Sequence, residues 1–303
     1  MGEIRVKKFH NIAKSDIDFS SYIERHSGDE TVFYKEVSGI PIPLVFYYPK
    51  DYNSSKKYPV FVFIHGGGWH SHKIFHDQNG WQGDYLGFLC RYYADKGFVS
   101  VSIDYRLIKE DGQKEHFQLI DLYEDCEDAI AYLVANSEKY GLDFSRSTVL
   151  GESAGGYLAA AISTFTYRCQ PIFSQAILVN AITDLFDFQW NTYVPRISAH
   201  PLLNKLRDVE RAHFLSPLYH ISDATARILL IHGTEDSVVR ARHSQSFYDE
   251  MMSRHKICEL HWIEKAEHAF LLAEYMIEQK KSLTATTMGI NIINTWLGLD
   301  VLE

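Results

Sequence analysis

The segment that most limits the fold is Tyr58–Ile64, YPVFVFI, which runs straight into His65-Gly66-Gly67-Gly68-Trp69. An almost wholly apolar run of this length reads as a strand buried on both faces, with helices packed above and below it. Similar runs recur at Phe98–Asp104 (FVSVSID), Ser147–Leu150, Ser174–Val179, Arg227–Ile231 and Ile257–Ile263. Thr31–Val37 and Pro43–Tyr48, joined by Ser38-Gly39-Ile40-Pro41, read as an antiparallel edge. Helical patterns fill the gaps at 83–96, 121–140, 154–164, 240–254 and 284–297. This alternation predicts an α/β fold: a mostly parallel eight-stranded sheet with helices on both faces. The 303 residues are read as one domain, 1–303. Residues 1–30 form an N-terminal extension. Residues 183–226, too long for one crossover, form a small cap insertion over the site.

Residues 151–155 read Gly-Glu-Ser-Ala-Gly. A turn tight enough to lift a serine hydroxyl off the end of a strand has no room for side chains at its flanks, which is why glycines stand there. The strand Ser147–Leu150 precedes it and a small-residue helix follows, the context the motif requires. Ser153 is the candidate nucleophile.

The glycine run after Tyr58–Ile64 suits an oxyanion hole, because backbone N–H groups can then approach a developing charge unobstructed. The candidate donors are Gly67, Gly68 and Ala154, with Gly67 placed first. His65 is read as a brace for the loop. A phosphate loop is disfavoured, since no Gly-Lys-Ser/Thr follows.

A serine nucleophile needs a base. The base is expected after the last strand, and the acid after the strand before it. His268, in Lys265-Ala-Glu-His-Ala-Phe270, follows Ile257–Ile263. Asp236, in the loop His232–Val239, follows Arg227–Ile231. Glu235 and Asp184 stay open as alternatives for the acid.

HGGGW, SIDYRL (Ser102–Leu107), GESAGG, HGTEDSVV and EHAF occur in this order. Together they resemble the esterase branch of the α/β hydrolases that includes hormone-sensitive-lipase-like and acetyl-esterase-like enzymes, from about residue 40 to the C-terminus. The resemblance implies the α/β-hydrolase fold and a serine carboxylesterase working through an acyl-enzyme. The acid in HGTEDSVV looks more like acetylxylan or feruloyl esterases and related peptidases. Together with Glu152, where many lipase-like members carry Asp, it points away from a true lipase. Short acyl esters, acetyl above all, are the expected substrates, with a small-molecule or oligosaccharide leaving side. Arylformamidase-like amide hydrolysis or a feruloyl esterase is the alternative. A peptidase is disfavoured, because the chain has no room for the propeller such enzymes usually carry. A non-catalytic binding module is the alternative from another class.

Trp69, Tyr85 and Trp190, with Trp81, are candidate stacking surfaces near the mouth, although each taken singly is more readily a packing residue. No cofactor is expected. His70, His72 and His76 have no carboxylate or cysteine at clear ligand spacing, so no metal is assigned. The net charge of -9, without a basic tract, argues against nucleic acid and anionic membrane surfaces as partners. Four scattered cysteines and an N-terminus without an apolar signal core give the expectation of a cytoplasmic protein. Oligomeric state is not legible in the sequence.

Overall fold

The computed structural model describes residues 7–9, 19–24, 27–69, 86–108, 117–166, 168, 171–186 and 208–302. Its strands are β1 (Lys7–Phe9), β2 (Glu30–Val37), β3 (Ile40–Tyr47), β4 (Tyr58–Ile64), β5 (Val99–Ile103), β6 (Leu142–Glu152), β7 (Gln175–Val179), β8 (Arg227–Gly233) and β9 (Cys258–Ile263). They form one sheet in the order β1-β9-β8-β7-β6-β4-β5-β3-β2. Only the β5–β3 and β3–β2 pairings are antiparallel. The eight strands expected from sequence are therefore present. A ninth, β1, adds a parallel edge against β9.

Alternation along β4 builds both layers. Val60, Val62 and Ile64 pack into one core, with α3 (Leu119–Ala135), α4 (Ala154–Thr164) and α6 (Arg242–Ser253). Phe61 and Phe63 face the other way, into a second core with α2 (Gly87–Asp95) and α8 (Thr284–Leu297). All five of these β4 side chains are fully buried. α5 (Asp208–Leu215) and the 3-10 turn Pro217–His220 lie within the expected cap. Tyr157 of α4 donates from its hydroxyl to Leu215 O at 2.8 Å, tying that segment to α4. α1 (Ser20–Ile23) and α7 (Ala273–Glu278) complete the set described.

β6 is longer than its apolar signature. Leu142 and Asp143 pair with Tyr58 and Pro59 before a register shift, and Ser145 and Arg146 in the shifted part are exposed. The chain leaves β4 towards β5 on one side and returns as β6 on the other. Such a reversal opens a crevice at the carboxyl ends of the two strands. HGGGW and Ser153 both emerge there.

Candidate active site

Ser153 caps the turn from β6 into α4 with φ 56° and ψ -118°, a region L-residues seldom adopt. Its surroundings leave no other option. A Cβ on Gly151 would come within 2.1 Å of Gly155 O, and one on Gly155 within 2.0 Å of Ile64 O. The turn is pressed against β4 from below and pinned from above by Ser153 N–H donating to Val179 O at 2.9 Å.

Ser153 Oγ lies 2.9 Å from His268 Nε2, and His268 Nδ1 lies 2.7 Å from Asp236 Oδ2. A carboxylate only accepts, so Nδ1 carries the proton and Nε2 is left to accept from the serine hydroxyl. The Asp236 side chain is buried. Burial opposes its ionisation, but the bond from His268 and the Val238 and Val239 amides on Oδ1, both at 2.8 Å, outweigh that and lower its pKa. The loops after β8 and β9 are also hooked together. Glu235 N–H donates to Ala266 O at 3.0 Å, and Lys265 N–H donates to Thr234 Oγ1 at 2.9 Å.

The two alternative acids point elsewhere. Glu235 is exposed. Asp184 accepts from Phe186 N–H at 2.9 Å and lines an open cleft of about 230 Å³ with Phe186, Arg242, His243 and Ser246.

Gly67 and Gly68 take φ of 106° and 63°, so the loop after β4 depends on glycine at both positions. Gly66 lies against the nucleophile, and a Cβ there would stand 3.3 Å from Ser153 Cβ. His65 is a brace, as expected. Its ring contacts Gly66 O at 2.7 Å and Asp104 Oδ1 at 3.2 Å and stacks on Tyr105 at 4.3 Å.

Trp69 corrects the sequence reading. It is fully buried, its indole N–H donates to Ala154 O at 3.1 Å, and its ring meets Tyr157 edge-on. A positive φ of 62° turns it inward, so it clamps the glycine loop to α4 and offers no stacking face. Tyr85, Trp190 and Trp81, with His70, His72 and His76, lie outside the described residues. Among the described residues no cluster of three or more His, Cys, Asp or Glu could hold a metal ion. No described helix is long and apolar enough to cross a membrane.

Three buried groups were not legible as parts of the site. Glu152 has Oε1 3.7 Å from His268 Nε2. His232 is 3.6 Å from Asp236 and bonds to Val239 O and Ser244 Oγ, and burial lowers its pKa. His243 accepts on Nδ1 from the amides of Thr183 and Asp184, both at 3.3 Å. Burial first, then the nearby His232, Arg242 and Arg240, lower its pKa to about 3.

The sign of that last shift sets a stability prediction. Below the ordinary value of 6.5 the unfolded chain protonates His243, whereas the folded chain resists until about 3. This contribution is full above 6.5 and is lost as pH falls towards 3. The slope is at most about 1.4 kcal/mol per pH unit, or roughly 2–4 °C in Tm for a chain of this size. Melting curves of His243→Gln should decline less steeply across that window. A slope equal to the parent's would assign the acid loss to other groups.

A family model described as BD-FAE matches residues 44–251. Esterase LipC of Mycobacterium tuberculosis is 26% identical over 65% of this chain and 49% of its own length. Arylacetamide deacetylase of Bos taurus is 31% identical over 59% of this chain and 43% of its own. The chain spans about half the length of the curated relatives it matches. Among solved structures, esterase 2 of Thermogutta terrifontis superposes with a TM-score of 0.70 at 24% identity, over 90% of this chain and 92% of that one. That likeness shows the α/β-hydrolase fold.

Proposed function

The chain belongs to the BD-FAE family, and on that footing we propose that it is a serine carboxylesterase that cleaves short acyl esters, acetyl esters first. The observation that carries this is the continuous chain of contacts Ser153–His268–Asp236 at 2.9 and 2.7 Å. As Ser153 Oγ attacks the ester carbonyl, its proton passes to His268 Nε2. The carbonyl pair moves onto oxygen, which the N–H groups of Gly67, Gly68 and Ala154 receive. The tetrahedral intermediate collapses, the alcohol leaves with the proton from His268, and water repeats the sequence on the acyl-enzyme. Asp236 keeps the proton on Nδ1 throughout.

Ester hydrolysis is supported by a relative named esterase, and the preference for a small acyl group by one named arylacetamide deacetylase. An acetylated sugar as the leaving side rests on the resemblance to acetylxylan-type esterases. The second of those names also favours a second reading, hydrolysis of N-acetylated aryl amines. Purified protein should turn over p-nitrophenyl acetate fastest, with rates falling about tenfold or more by octanoate. A maximum at octanoate would sink the short-chain reading. Faster turnover of p-nitroacetanilide than of the acetate ester would install the amide reading instead.

A further inference from the structure

We propose that Glu152 is a positioning residue for His268, a second carboxylate that stabilises the imidazolium from the Nε2 edge while Asp236 holds the Nδ1 edge. The proposal rests on the reading of His268 as the base. Glu152 ends β6, directly before the nucleophile, and is 2% exposed. Its carboxyl is wedged between two functional parts. Oε2 fills the space beside Gly66, where a Cβ would come within 2.6 Å of it, and Oε1 stands 3.7 Å from His268 Nε2. The imidazole therefore has a carboxylate on each edge, at 2.7 and 3.7 Å.

The two carboxylates do different work. Asp236 is hydrogen-bonded to the neutral ring and fixes its tautomer. Glu152 is beyond hydrogen-bond length and gives the neutral ring little. When the serine proton arrives on Nε2, a positive charge appears next to the buried Glu152 side chain, and an opposite charge this close favours the charged form. Glu152 thus acts on the state that must exist between attack and departure of the alcohol. Among the described residues, few other groups compete for this role. His232 sits behind Asp236 and is held neutral by burial. His65 is occupied by Gly66 and Asp104. Lys265 and Glu267, on the same loop as His268, are exposed, and Glu267 pairs with Lys281.

The test is the titration of His268 by NMR of imidazole-labelled protein, its signals assigned by their loss in His268→Gln. Glu152→Gln keeps the shape and removes the charge. Its His268 midpoint should fall by about one pH unit, and the acid limb of kcat/KM for p-nitrophenyl acetate should move with it. An unchanged midpoint in a folded Glu152→Gln overturns the proposal, even if the rate drops. If that variant does not fold, Glu152→Asp decides. It retains the charge one methylene further away, so a partial fall supports the role and an unmoved midpoint overturns it. The titration needs no substrate, so a parent protein that turns over no ester would defeat the functional reading without touching this result.

Discussion

Ser153→Ala lowers turnover of p-nitrophenyl acetate by about 10⁴- to 10⁶-fold, with the melting temperature within a few degrees of the parent. The argument is geometric. Ser153 Oγ is the atom at hydrogen-bond distance from the lone pair of His268, at the point where the Gly66–Gly68 loop closes on the elbow. Alanine retains Cβ and the packing of the turn and removes only that oxygen. What remains is the catalysis that an oxyanion loop supplies without covalent attack. Rate and stability are both measured because the elbow is strained. A variant that lost activity by unfolding would betray itself in the melt. Turnover within tenfold of the parent, in a folded protein, would remove Ser153 as nucleophile and with it the proposed mechanism.

Asp236→Asn is expected to cost about 10⁴-fold in kcat, for a reason that can be followed atom by atom. Oδ1 of Asp236 accepts two backbone N–H groups, from Val238 and Val239. An asparagine there must keep its oxygen facing those donors, which turns its NH₂ towards His268. The ring can then only accept at Nδ1, so its proton moves to Nε2. A protonated Nε2 cannot take the proton of Ser153. Steady-state kinetics at neutral pH should show kcat collapsing while KM changes little. Glu235→Gln, at an exposed neighbour, should stay within a few-fold. Comparable losses in the two variants would contradict the assignment of Asp236 as the partner of His268.

The three residues that meet at the candidate site were legible because each is tied to the end of an apolar run. Ser153, Asp236 and His268 follow β6, β8 and β9, and the glycines around Ser153 advertise a turn without room for side chains. Trp69 was misread because a tryptophan after a glycine run looks like a mouth residue. Its burial and the bond from its indole N–H to Ala154 O show that it packs inward. Glu152, His232 and His243 could not be found in the same way. Their roles arise from which strand ends stand beside one another, and β6, β7, β8 and β9 become adjacent only in the folded sheet. β1 escaped because three residues carry no periodicity, and the first half of β6 because its outward side chains are polar.

The hooks between the loops after β8 and β9 have an evolutionary consequence. Acid and base are joined by backbone bonds from Glu235 to Ala266 and from Lys265 to Thr234, and Gly233 admits Ala266 so closely that a Cβ would stand 2.3 Å from its carbonyl oxygen. The proposed acid–base pair is thus a preassembled cassette, held by contacts within its own two loops. Mutation elsewhere around the site can then present new molecules to an unaltered pair. Descendants of such a chain can diverge in diet while inheriting the same chemistry.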